Sequence, residues 1–315
     1  MAQPSDRSEE TSAPTPRITP TSSASSTPSA RPAAPDALSA SSPPSAPALA
    51  SRVVLPSPEE LGARNRRLAR ERVSRAEGLL VKRYGLASAA EGFELLKTVS
   101  QRSNVKLHTL ADAVLRTPAP DRDAQVWFPG RRRHDPPRLP GLQLDPGSRS
   151  SQGAVLKAVL HRVLSITQTP MGNVQLMDGD RLHLTRHTGL NTYFTEFFAF
   201  VDAPTTACSQ AAAERRQVTV RDVASADVFD EASRHAILQT GSRAAHSVPL
   251  TSGRGTVLGM VSSHHERPLA GFTAAQLQAL RQTGTDVGRW LSWHAHTVVL
   301  DALEHLHATA TRPAH

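Results

Sequence analysis

"RVSRAEGLLVKRYGLASAAEGFELLKTVSQRSNVKLHTLADAVL", residues 72–115, decides the reading of the first half of the chain. It breaks into three helical runs at two points, "YGLAS" and "RSNVK". The first run begins further upstream, in "SPEELGARNRRLARERVSRAEGLLVKRYG". Ser57 suits an N-cap, Pro58 the first helical position, and Glu59 and Glu60 the positive end of the helix dipole. Gly85 suits the C-terminal stop. Leu61, Leu68, Val73, Ala76, Leu79 and Leu80 form its apolar stripe. Ser88 with Glu91 three residues later makes a capping box for the second helix. There Ala89, Phe93, Leu96 and Ser100 share a face. A third helix is expected from about Val105 to Arg116, with Leu107, Leu110, Ala111 and Val114 at helical spacing and Asn104 as its cap. About sixty residues of this kind bury little core, so pairing of the long first helix with a copy of itself is expected.

The arginines stand out in this unit. From Arg64 to Arg83 there are eight Arg or Lys and two acids, Glu71 and Glu77. The whole chain has a net charge of +8 and a pI near 10.6, which favours an acidic partner. A second basic run, "GRRRHDPPR", occupies 130–138.

Residues 1–56 differ in kind. Of the first fifty, 38 are Ser, Pro, Ala or Thr, and none is aromatic. Such a segment does not bury enough apolar surface to offset its ordering entropy, so a disordered tail is expected. "MAQPSDRSEE" lacks the apolar stretch of a signal peptide, and no stretch approaches a membrane span. One cysteine, Cys208, excludes an intrachain disulfide framework. A cytoplasmic protein without membrane contact is expected. The helical unit then covers 57–117, a Pro- and Arg-rich linker 118–150, a mixed domain 151–309 and a short tail 310–315.

The mixed domain changes period. "GAVLKAVLHRVLSIT" is an amphipathic helix. "GNVQLMDGDRLHLTRHTG" alternates around "DGD" as a hairpin. "FTEFFAF" and "TACSQAAAERR" read as short helices, "QVTVRDV" as a strand, and "EASRHAILQTG" as a helix closed by Gly241. "SRAAHSVPL" and "GTVLGMVSSHH" flank the turn "TSGRG" as two strands. One long closing helix is expected from Thr273 to about His307. The fold class is therefore α+β: a three-helix bundle, then an antiparallel sheet covered by helices.

These residues carry two resemblances. "AEGLLVKR", "FELLK", Ser100–Gln101, Asn104, "KL" and Ala111 follow the order and spacing of an ANTAR domain, the RNA-binding module of AmiR- and NasR-type antitermination regulators. The departures are Glu77, where that family usually has Lys, and Gly92, where it usually has Ala. A module of this kind commonly closes a chain, and here it comes first. "MGNVQLMD", "FFAFV", "ACSQAA", "VTVRDV", Phe229, "GSRAAHSVPL" and "GTVLGMVSSH" resemble a GAF domain, a signal-sensing fold whose members bind nucleotides, haem, chromophores or no known ligand.

The resemblance to an ANTAR domain implies an RNA stem-loop as partner and transcription antitermination as function. Arg64, Arg66, Arg67, Arg70, Arg72, Arg75, Lys82 and Arg83 suit phosphate contact, since clustered cations release counterions on binding. Arg64, Arg75 and Lys82 fall close together by wheel position, and Lys106 joins them at the third helix. Glu77 would repel phosphate on the same face. Tyr84 suits packing in the bundle better than stacking on a base. A GAF ligand is implied without its identity, and the chain is expected to be a homodimer. The rival reading is a GAF signalling protein whose helical unit only dimerises.

Catalysis finds little support. Cys208 has no resolving cysteine and sits among small residues, as a buried helix thiol does. His264 and His265 point to opposite faces of a strand. The histidines of the last helix are spaced i, i+2 and do not share a face. A haem ligand at His246 or His264 is the remaining possibility for a cofactor. No phosphate loop, nucleophile elbow or carboxylate pair stands out, so no enzyme is expected.

Overall fold

The computed structural model describes residues 55–121, 124–202 and 206–312. The tail expected at 1–56 lies outside them up to residue 54.

Helix α1 runs Pro58–Tyr84, with a complete capping box between Ser57 and Glu60. Gly85 closes it in the left-handed region at φ 66°. Helix α2, Ala89–Ser103, is capped by Ser88. Asn104 differs from the sequence reading. It takes φ 51° and closes α2, its amide bonding to the carbonyls of Ser100 and Gln101. Helix α3, Leu107–Arg116, starts after Lys106 without a side-chain cap. Asparagine serves both ends, as an N-cap acceptor and as a residue that tolerates the left-handed region.

The sheet has six strands in the order β3-β2-β1-β6-β5-β4, and neighbouring strands are antiparallel. They are β1 Met171–Asp178, β2 Arg181–Thr188, β3 Phe200–Val201, β4 Val218–Val220, β5 Ala244–Thr251 and β6 Val257–His265. Helices α4, Gln152–Thr167, and α8, Ala274–His296, cover one face around Val174, Val248 and Val261. Helices α5, Thr192–Phe197, α6, Ala207–Glu214, and α7, Glu231–Gln239, cover the other around Leu182 and Met260. "FTEFFAF" thus holds the end of a helix and an edge strand. Helix α8 crosses β5 at backbone distance: a Cβ at Gly284 would stand 2.5 Å from the Pro249 carbonyl oxygen.

The closing segment is two helices. Thr297, at φ −120° and ψ −70°, breaks the run, and α9, Val298–Ala310, leaves the sheet. Val299, Ala302, Leu303 and Leu306 of α9 enter the core of Ala76, Leu80, Leu96, Val99, Leu110 and Val114. The small bundle gains a fourth helix. Each fully buried Leu or Val contributes about 1.5–3 kcal/mol, a large part of the stability of a unit this small. Trp127, between the modules in sequence, joins the same core. The Trp127 and Phe128 amides donate to the Glu304 carboxylate at 2.9 and 2.7 Å, and Arg131 pairs with Asp301. Residues 127–131 are thereby laid along α9.

Candidate nucleic-acid interface

Helix α1 sorts its cations by side. Arg66, Arg67, Arg70, Arg75 and Lys82 face solvent. Among the described residues, Arg67, Arg70 and Lys82 have no ion-pair partner, and Arg75 reaches Glu71 at 3.9 Å. A pair that exposed is worth little and leaves the guanidinium available. Gly78 and Ser74, also exposed, keep the stripe low and polar.

The other cations are held. Arg64 donates to the Phe200 carbonyl at 3.4 Å and lies 3.9 Å from Asp202. Its neighbour Asn65 donates to the carbonyl and the carboxylate of Glu196 at 2.8 and 2.7 Å. Arg72 is the centre of the junction. It donates to Asp112 of α3 at 2.7 Å, to the Asp178 carboxylate at 3.0 Å and to the Asp178 carbonyl at 3.0 Å. Arg116 completes Asp112 from the other side. Burial pushes the Asp178 carboxyl up from its ordinary range, and the Arg72 charge opposes this. Gly179, in the hairpin turn at φ 68°, gives Arg72 its place: a Cβ there would lie 1.9 Å from the guanidinium. Arg83 lies over the Trp127 ring, 4.8 Å from its centroid. Lys106 stands at the start of α3, and partial burial with the nearby Arg186 lowers its ammonium pKa.

Apart from Arg66, which is exposed at the margin, the cations expected to contact RNA therefore fall into two sets. Arg67, Arg70, Arg75 and Lys82 form one solvent stripe, with Lys106 on α3. Arg64, Arg72 and Arg83 turn inward. The sequence reading missed Asn65, Asp112, Asp178 and Glu196, the partners that hold α1. Tyr84 packs in the bundle: its hydroxyl lies 3.1 Å from His307 Nδ1, and His307 Nε2 donates to the Ala124 carbonyl at 2.7 Å.

Both departures at 77 and 92 lie on the α1–α2 crossing. A Cβ at Gly92 would stand 3.1 Å from the Glu77 carbonyl oxygen, so glycine permits the close approach. Glu77 is half-buried at the edge of the solvent stripe, on the side of α2.

Within the sheet domain, a cavity of about 20 Å³ lies between the sheet and α5–α7. Asn173, Gln175, Phe194, Phe198, Ser247 and His264 are in its walls. It has room for about one water. His264 uses both ring nitrogens, toward Ser242 at 3.1 Å and Asn173 at 3.2 Å. His246 does the same with Thr219 at 2.8 Å and Gln217 at 2.9 Å. Burial, with a smaller contribution from His265, pushes His264 down to about 3 and His246 to about 4. Neither presents a free nitrogen, and the cavity beside His264 is too small for haem. Among the described residues no group of three His, Cys, Asp or Glu is placed to hold a metal ion. Burial pushes the Cys208 thiol up, which disfavours the thiolate a nucleophile needs. No described helix is long and apolar enough to cross a membrane.

A basic helical module joined to a sheet domain of the sensory type defines a regulatory class of chain. The comparisons agree: residues 62–115 match the ANTAR domain family and residues 150–292 match a GAF domain family. The chain carries an ANTAR domain followed by a GAF domain, regulatory and sensory units respectively. Helix α9 lies beyond both matches. No curated protein matches the chain. Among solved structures, it is similar to a GAF domain/HD domain protein from Geobacter sulfurreducens, at 20% identity over 48% of this chain and 98% of that one, TM-score 0.40. It is similar also to the GAF domain of an Acinetobacter phosphoenolpyruvate-protein phosphotransferase, at 15% identity over 44% and 80%, TM-score 0.37. A type II free methionine-R-sulfoxide reductase from Thermoplasma acidophilum matches at 13% identity over 44% and 94%, TM-score 0.34.

Proposed function

We propose that this chain is a cytoplasmic RNA-binding regulator of transcription antitermination whose GAF domain senses a small ligand or a partner. The observation that carries the reading is the sorting of cations on α1. Arg67, Arg70, Arg75 and Lys82 line up on the solvent side of a capped helix, as contacts to successive phosphates require. Sequence choice then comes from loop bases reached beside that helix. Arg64, Arg72 and Arg83 join the contact surface only in a state where their present partners have let go. The GAF domain holds two of the three, through Phe200, Asp202 and Asp178. A signal that favours the released state by differential affinity therefore raises RNA affinity.

The rival reading makes α1 a dimerisation helix. Pairing through the solvent side would bring Arg67, Arg70, Arg75 and Lys82 against their copies without the apolar seam a coiled coil uses. Phosphate contact is the better use of that stripe. Filter binding of the full chain to a hairpin RNA, beside a plain duplex of equal length, tests the proposal. Preference for the hairpin, lost in the Arg67→Ala/Arg70→Ala/Arg75→Ala/Lys82→Ala variant, is expected. Equal or absent affinity for both RNAs would contradict sequence-selective binding.

A further inference from the structure

A second cavity, of about 130 Å³, lies where the two domains meet. His108 and Thr109 of α3 form one side, Asp178 and His183 the hairpin side, and His294 and Ala295 of α8 the third. Three imidazoles thus converge on one space from three elements. Among the described residues none of the three has a hydrogen-bond partner. His294 is 3% exposed, and its Nε2 is fully buried and unpaired. Native proteins rarely leave a buried polar atom in that condition. His108 and His183 meet edge to face, with centroids 5.1 Å apart. Burial, with the charge of Lys106, keeps both neutral, at about 4. A neutral imidazole has one N–H to donate.

The charges around the cavity set the sign of its ligand. Asp112 and Asp178 are neutralised by Arg72 and Arg116. Lys106 and Arg186 remain close by, and among the described residues neither has a carboxylate partner. This balance of charge disfavours a cationic ligand.

We infer that this cavity binds a small oxyanion of the carboxylate class, held by N–H donors of His108, His183 and His294. Such a ligand would bridge α3 of the ANTAR domain to the sheet and α8 of the GAF domain. It would stabilise the arrangement in which Arg64 and Arg72 are held, so that its departure, not its arrival, would favour release of α1. This gives the proposed sensing function a signal class and a place apart from the small cavity over the sheet.

Trp290 stacks on His294 with centroids 5.0 Å apart, so its emission reports occupancy. The full chain is titrated with sodium formate and sodium acetate, against sodium chloride at equal ionic strength. A saturable change with the carboxylates, absent with chloride, is expected. Ala295→Leu adds bulk at the exposed rim of the cavity and removes no imidazole. His183→Ala removes a donor. Each should weaken binding at least tenfold with the circular dichroism spectrum unchanged. A response equal to that of chloride, or one unaltered in folded Ala295→Leu, would overturn the inference. The titration contains no RNA, so a failure of RNA binding would leave its result intact.

Discussion

On the inner side of α1, Arg72 lies between the buried carboxylate of Asp112, at 2.7 Å, and the partly buried one of Asp178, at 3.0 Å. On the outer side, Arg67, Arg70 and Lys82 stand in water without ion-pair partners among the described residues. The residue type is the same and the helix is the same. What differs is the company each side keeps. The inner cations satisfy buried acids and carbonyls and fix how α1 sits on the GAF sheet. The outer ones have only the solvent and whatever anion arrives. The comparison teaches that a count of arginines measures neither RNA affinity nor stability until each one's partner is known.

The sharpest way to break this comparison is to remove what the inner side leans on. A fragment of residues 57–117 lacks Trp127 and the Val299, Ala302, Leu303 and Leu306 side chains that complete its core. It is expected to melt without a cooperative transition by circular dichroism, where the full chain melts cooperatively. A cooperative fragment would mean that α9 is dispensable. Next in size is Arg72→Ala, which strips Asp178 of its partner and leaves Asp112 with Arg116 alone. The expected cost is about 2 kcal/mol, below the usual range for a broken buried pair because Arg116 remains. It is read from the urea midpoint. An unchanged midpoint would make the junction decorative.

Acid sharpens the same contrast. His108, His183, His246, His264 and His294 are held at about 3–4 in the folded chain, mainly by burial, against an ordinary 6.5. The unfolded chain binds those protons first, so their contribution is complete above pH 6.5 and lost as pH falls toward 4. The urea midpoint is expected to drop between pH 7 and pH 5. A flat profile would contradict the burial of these rings. The smallest effect belongs to Glu77→Lys. Glu77 sits at the edge of the stripe, so filter binding should tighten only about twofold to threefold, within the range of one peripheral charge near phosphate.

Much of this architecture was legible beforehand. Ser57 with Pro58, Ser88 with Glu91, and Gly85 mark helix ends whose unsatisfied backbone groups need those residues. "DGD" and "TSGRG" mark turns that antiparallel strands need. The destination of α9 was not legible, because its apolar spacing continues that of α8 and nothing local shows that Thr297 turns the chain toward another core. The site was legible in composition and illegible in its division. Arg64, Arg75 and Lys82 share a face by wheel position, yet Arg64 reaches β3 because that end of α1 runs beside the sheet edge. One signal was present for Arg72. Asp112 interrupts "LADAV", and a carboxylate inside an apolar helix face requires a buried cation. Its identity depends on the hairpin turn, 66 positions later at Asp178, which only the fold brings near.

The central claim is that the outer stripe of α1 meets phosphate while the inner side, as long as its partners hold it, does not. The salt dependence of hairpin RNA affinity tests it most directly, for the wild-type chain and for the Arg75→Ala and Lys82→Ala variants. The account predicts that each substitution lowers the slope of log Kobs against log salt by about one, with the urea midpoint unchanged. Slopes identical to that of the wild-type chain would contradict it.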